Sequence, residues 1–215
     1  MKSIRIILSL LLIASFANAE IKPAPGAKLN YTQVMLEYDP IGNATEYVVE
    51  ISAGHIGGTN LERIKEVKDR STATLIENLN FGSSYVWKYA GIVGGQQTKW
   101  NGPYEFSIEI DTTIGLDKPR FKVSVNNETE GKKGLVAVGS SKTIIDKSGS
   151  PVWYMPKIDK TIFIEQSNIT EFRMSDVGTL LLYSSTGFSA GISLVCETDL
   201  EGNILWKAPN DGQVS

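Results

Sequence analysis

The chain has 215 residues, with 21 Lys and Arg against 24 Asp and Glu and a single His, a formal charge of −3 at neutral pH. That balance supplies no electrostatic footprint for nucleic acid or for an anionic membrane surface, and the length suits one ordinary domain or two small ones. The lone cysteine, Cys196, excludes an internal disulfide.

At the N-terminus, Lys2 and Arg5 precede an apolar run from Ile6 to Phe16, which ends in the small residues Ala17-Asn-Ala19. This order predicts a secretory signal over 1–19, cleaved before Glu20. The apolar run is well short of the roughly 20 residues a spanning helix needs, so no membrane attachment is expected after cleavage. The expected location is periplasmic or secreted. Removing Lys2 and Arg5 takes the formal charge to −5. Asn-x-Ser/Thr sequons stand at Asn30, Asn43, Asn127 and Asn168; they matter where the host glycosylates such sites.

From 20 to 110 the chain is a series of short alternating segments between turn residues. Predicted strands are Gln33 to Tyr38, Glu46 to Ser52, Thr72 to Glu77, Ser84 to Ile92 and Tyr104 to Ile108, and the only helical period runs from Leu61 to Val67. Within Leu79-Asn-Phe-Gly-Ser-Ser-Tyr85, a Leu, a turn Gly and a Tyr three residues later resemble a tyrosine corner, in which the phenol bonds the backbone where the chain crosses between sheets. With Pro25-Gly26 at the entry and Glu46-Tyr-Val-Val-Glu-Ile-Ser52, the segment resembles a fibronectin type III module, an immunoglobulin-like β-sandwich. One position departs: Tyr38 stands where that family usually carries a core Trp.

Candidate chemistry in this segment is thin. His55 lies in the turn-rich run Ala53-Gly-His-Ile-Gly-Gly-Thr-Asn60 with no second ligand at useful spacing, which favours a solvated loop residue over a metal ligand. Gly57-Gly58 and Gly94-Gly95 lack the following helix of a phosphate cradle and read as turns. Trp87 alternates into the core, and Trp100 marks a loop; a sugar platform is the weaker reading of the pair.

Residues 111–133 are polar, with a strand-like Phe121 to Val125, and read as a connection. Residues 134–215 then carry a hairpin twice, as Thr143-Ile-Ile-Asp-Lys-Ser-Gly-Ser-Pro-Val-Trp153 and Cys196-Glu-Thr-Asp-Leu-Glu-Gly-Asn-Ile-Leu-Trp206. Asp146 and Asp199, Gly149 and Gly202, and Trp153 and Trp206 are each 53 positions apart. A repeat of this length, built of short strands ending in an aromatic, is the mark of a β-propeller. In Asp-x-x-Gly the Asp accepts from nearby backbone and the Gly supplies positive φ, so the residues answer to geometry, and calcium binding lacks its flanking carboxylates. Between the hairpins, Asn168 to Met174 and Thr179 to Ser184 are predicted strands that meet at Asp176-Val-Gly178. Cys196 sits in an apolar strand as a small buried thiol.

These residues, together with Gly134-Leu-Val-Ala-Val138, Ile169-Thr-Glu-Phe-Arg-Met174 and Gly178-Thr-Leu-Leu-Leu-Tyr-Ser184, resemble the opening of a bacterial arylsulfotransferase. The resemblance implies an all-β chain in which a fibronectin-III-like sandwich precedes an incomplete β-propeller, of which only the first blades are present. It implies transfer of a sulfuryl group from a phenolic sulfate ester to a phenol through a channel histidine that becomes sulfated. The family's His-His-Asp segment is expected beyond Ser215, so the sequence reads as an N-terminal fragment, predicted inactive alone. No catalytic, cofactor-binding or metal-binding residue is assigned in it, and no cofactor is expected. Arg173, inside a blade strand, reads as a packing or solvated residue. A homodimer is left open. Two other readings stand beside this one: a noncatalytic exported propeller scaffold, and a quinone-dependent dehydrogenase, since Asp-x-x-Gly-x-x-x-Trp hairpins also occur in propellers of that type.

Overall fold

In a computed structural model of the chain, the structure describes residues 20–110, 121, 134–139, 141–156, 169–185 and 193–209. All regular structure among them is β. The predicted signal over 1–19 lies outside the described residues, as does most of 111–133, including the rest of the predicted strand from Phe121 to Val125.

The first region is a two-sheet sandwich. Strands β2 (Val34–Glu37) and β5 (Ala73–Ile76) pair antiparallel in one sheet, and the other runs β1 (Ala27–Leu29), β8 (Asn101–Ile108), β6 (Ser83–Val93), β3 (Glu46–Ala53), β4 (Glu62–Asp69). A short β7 (Gln96–Gln97) folds back on β6. The entry segment first bridges β2, Lys22 opposite Glu37, and then crosses to run parallel with β8, Ala27 opposite Phe106. That strand order is the fibronectin-III-like arrangement expected from the sequence. Alternation places Tyr47, Val49 and Ile51 of β3 and Tyr85, Trp87 and Tyr89 of β6 in a core with Val34, Leu36, Ile76, Phe106 and Ile108.

Two details of this core bear on the sequence reading. The Tyr85 hydroxyl accepts from the Asn80 backbone N–H at 2.7 Å, with Gly82 at φ 73° in the turn between them, so the tyrosine corner is present. Tyr38 is buried where a Trp was missing, and Trp87 from the facing sheet lies 6.2 Å from it, supplying the core's indole from the opposite side. The helical period from Leu61 to Val67 is overturned. Glu62–Asp69 is an edge strand exposed along its length except at Val67, which packs on the sandwich core opposite Val49, so Ile64 and Val67 report no helix face; its charges protect an unpaired sheet edge instead.

The second region holds two antiparallel sheets. One is three-stranded, β9 (Leu135–Val138), β10 (Thr143–Asp146) and β11 (Pro151–Tyr154); the other is a four-stranded meander, β12 (Ile169–Met174), β13 (Leu180–Ser185), β14 (Ser193–Thr198) and β15 (Ile204–Lys207). The hairpins β10–β11 and β14–β15 match in detail. Each has a register shift before its turn, at Ile144/Ile145 and at Glu197/Thr198, and each turn closes through a glycine at φ 86°, a conformation open to glycine at no steric cost. Asp146 Oδ1 accepts from Ser150 N and Asp199 Oδ1 from Asn203 N, at 3.0 and 2.8 Å. A third copy joins β12 to β13, where Ser175 Oγ takes the Asp role and accepts from Thr179 N at 3.1 Å. The turn falls at Asp176-Val-Gly178 as expected from sequence, and its anchor is Ser175, the residue before it.

The sheets stack face to face. Ile144, Val152 and Trp153 of the first pack on Phe172, Leu180, Leu182 and Cys196 of the second, with the Trp153 and Phe172 rings 5.8 Å apart. No ring of sheets closes among the described residues.

Candidate functional site

The residues weighed from sequence are scattered rather than convergent. His55 is exposed on the loop after β3, and its Nδ1 lies 2.8 Å from Glu105 Oε1. The other Glu105 oxygen accepts from Ile56 N at 2.9 Å. The backbone N–H of Ile56 and then His55 hold the Glu105 carboxyl below its usual range. This pair fastens a loop to β8; its geometry offers no third group to orient a base or a metal. Trp87 lies in the core, and Trp100, before β8, carries Lys88 Nζ 4.6 Å above its ring, so the two indoles form no joint platform. Cys196 is fully buried, and burial pushes its thiol up, away from thiolate reactivity. Arg173 is exposed and paired with Glu171 at 2.7 Å. Among the described residues no three metal-ligating side chains converge.

What the fold does bring together is a seam that sequence reasoning missed. The residues between β1 and β2, Asn30-Tyr-Thr32, lie along the free edge of β11 as a short extra strand. Thr32 N donates to Val152 O at 2.9 Å and Tyr154 N donates to Asn30 O at 3.1 Å, while Tyr31 and Trp153 face each other as a bridge. Added strand pairing of this kind satisfies an edge that would otherwise be open.

Side chains then tie the same segment to the four-stranded sheet. Asn30 Nδ2 donates to Tyr154 O at 2.6 Å and to Leu200 O at 2.9 Å. Trp153 Nε1 donates to the same Leu200 carbonyl at 2.9 Å, so one oxygen in the β14–β15 turn collects donors from the sandwich and from the three-stranded sheet. The Tyr31 hydroxyl donates to the Glu201 carboxylate. Burial and then that carboxylate push the Tyr31 phenol well above its ordinary range. Phe81 of the sandwich packs on Tyr154, ring centroids 5.5 Å apart.

Asn30 entered the sequence reading only as a sequon. It is 5% exposed, and both amide hydrogens are in use, so it is a structural clasp in the folded chain. Asn43, by contrast, lies exposed in a turn at φ 62°.

No protein-family model matches the chain, and no curated protein matches it. Solved structures similar to it include a fourth fibronectin type III domain from human, at 20% identity over 47% of this chain and 90% of that one, TM-score 0.33. Another is the twitchin kinase region of C. elegans, at 19% identity over 81% of this chain and 32% of that one, TM-score 0.32. The fibronectin-III-like assignment stands on the strand order and the tyrosine corner described above.

Proposed function

We propose that this chain forms the opening sheets of a β-propeller in an exported enzyme of arylsulfotransferase type, with the sandwich clasped to the outer edge of the first sheet. The observation that carries this reading is the repeated Asp-x-x-Gly-x-x-x-Trp hairpin, which recurs with the same register shift in two sheets stacked face to face. Its substrates are then a small phenolic sulfate donor and a phenol acceptor. Such a transfer needs a nucleophile to take the sulfuryl group as the donor's S–O bond breaks and its phenoxide leaves, with cationic groups steadying the sulfuryl oxygens. His55 is unsuited to that work, because it stands on a sandwich loop against Glu105. A propeller closes with at least about four blades, so the nucleophile belongs to blades other than these two, and the present residues build and brace the start of the ring.

The test is an assay of the product of the full coding region with a chromogenic phenyl sulfate and a phenol acceptor. Activity is expected there, unchanged by His55→Ala, and none from residues 20–215 alone. Activity in 20–215, or its loss in the full product on His55→Ala, overturns the reading.

A further inference from the structure

Asn30 heads the sequon Asn30-Tyr-Thr32, and the fold seals it at both ends. Its Nδ2 gives one hydrogen to Tyr154 O at 2.6 Å and the other to Leu200 O at 2.9 Å, and an asparagine amide has only those two to give. Asn30 is 5% and Thr32 6% exposed. Both acceptors lie beyond the sandwich, 124 and 170 positions later in the chain. Until β11 and the β14–β15 turn are made, the Asn30 amide therefore has neither of these partners, although every residue of the sandwich core is already present.

We propose that Asn30 is an N-glycosylation acceptor whose modification and whose clasp exclude each other, with the order of synthesis putting modification first. In the transfer, Nδ2 releases one hydrogen as a proton and bonds the anomeric carbon of an oligosaccharide. The bond from that carbon to a lipid pyrophosphate breaks, and the pyrophosphate leaves with the electron pair. The substituted amide keeps a single hydrogen, so at least one of the Tyr154 and Leu200 carbonyls loses its Nδ2 donor. A bulky, hydrated sugar also needs the space that β11 and the β14–β15 turn fill around this side chain. Synthesis at roughly 5–20 residues per second brings Tyr154 about 6–25 s after Asn30, 124 positions later. A transferase working on the emerging chain thus meets the amide before either carbonyl exists. The modified chain keeps its sandwich and loses its seam, so intact assembly requires an export route without oligosaccharide transfer to Asn-x-Thr. Asn43, in an exposed turn, carries no such conflict.

The test is to secrete residues 20–215 from yeast with Asn43→Gln, Asn127→Gln and Asn168→Gln, which leaves Asn30-Tyr-Thr32 as the one sequon. Asn30 should be modified, seen as a mobility shift that an endoglycosidase removes. The seam reporters are the backbone N–H groups of Thr32 and Tyr154, which bond Val152 O and Asn30 O. They should exchange at least about tenfold faster than in the same chain exported from a bacterium that lacks the transferase, with β3 and β6 unchanged. Thr32→Val ends the modification while keeping the Asn30 amide, and the hydroxyl contact it removes is a long one, 3.4 Å; in yeast it should regain slow exchange. So should the parent chain made with tunicamycin, which blocks the lipid-linked donor and needs no change at Thr32. Slow exchange in chains modified at Asn30 overturns the exclusion, and an unmodified Asn30 in yeast overturns the order of events. Fast exchange that persists both in Thr32→Val and with tunicamycin overturns the proposal as well, because the seam then fails without a glycan.

Discussion

Trp153 and Trp206 occupy the same position of the same hairpin, opposite Ile144 and Glu197 in registers that shift at the same place, yet the first is buried and the second half open to solvent. Their turns, caps and backbone are alike, and the cross-strand partner, Ile144 in one and Glu197 in the other, is a local difference too small to bury one ring and expose the other. The difference is a neighbour: the four-stranded sheet covers Trp153, and among the described residues no sheet covers Trp206. The hairpin motif thus encodes a shape, while the burial that stabilises it comes from the next repeat. The sandwich is the opposite case, since its two sheets cover each other and its core is complete by Ile108.

The largest test of this comparison is to truncate both indoles in residues 20–215. Trp153→Ala removes a buried ring and a donor to Leu200, and should cost about 3–5 kcal/mol. Trp206→Ala should stay within about 0.5 kcal/mol, as for an exposed position. Urea unfolding followed by circular dichroism gives both, and equal costs would break the contrast.

Next in size is the clasp. Asn30→Ala leaves the Tyr154 carbonyl without its amide donor and takes one of two donors from Leu200, for an expected loss of about 1–3 kcal/mol. Hydrogen exchange should place that loss in β11 and the β14–β15 turn, with β3 and β6 of the sandwich core protected as before. Faster exchange throughout the sandwich instead would mean that Asn30 serves its own domain.

The smallest effect is alkaline. The Tyr31 phenol is raised in the folded chain by burial and by Glu201, so the folded state holds its proton where the unfolded state has released it. The stability it contributes is present below the ordinary phenol value of about 10 and declines as pH rises above it. Tyr38 and Tyr89 are raised as well, so the readout is a difference: Tyr31→Phe should soften the decline in β11 protection above pH about 10. An identical decline in both proteins would remove Tyr31 from the account.

The contrast also explains what could be read from sequence. The repeated hairpins and the tyrosine corner were legible because they are local: Asp, Gly and Tyr85 meet partners within five residues. The edge strand β4 was not, because a strand that turns only Val67 onto the core shows no alternation, and Leu61, Ile64 and Val67 then fall at a chance helical spacing. The third turn was placed correctly, but its anchor was not recognised because Ser175 fills the position that Asp holds in the other two. The clasp was invisible for a different reason. Asn30 bonds residues 124 and 170 positions away, and no pattern around Asn30-Tyr-Thr32 marks it apart from a sequon. The candidate chemistry was legible only as scattered residues, and the fold leaves His55, Cys196 and Arg173 scattered.

The strand that Asn30-Tyr-Thr32 adds to β11 also orders events during synthesis. A chain made from its N-terminus completes the sandwich about 40 residues before β11 leaves the ribosome, and domains fold as units in that order. When β11 emerges, a preformed template already stands at its free edge, so the closest competitor for that edge is the chain's own first domain rather than another nascent molecule. A circular permutant that places the sandwich after the repeat sheets would keep every final contact and lose this precedence. Its β11 would wait unpaired, and its yield of soluble protein should fall with expression level while its native stability stays the same.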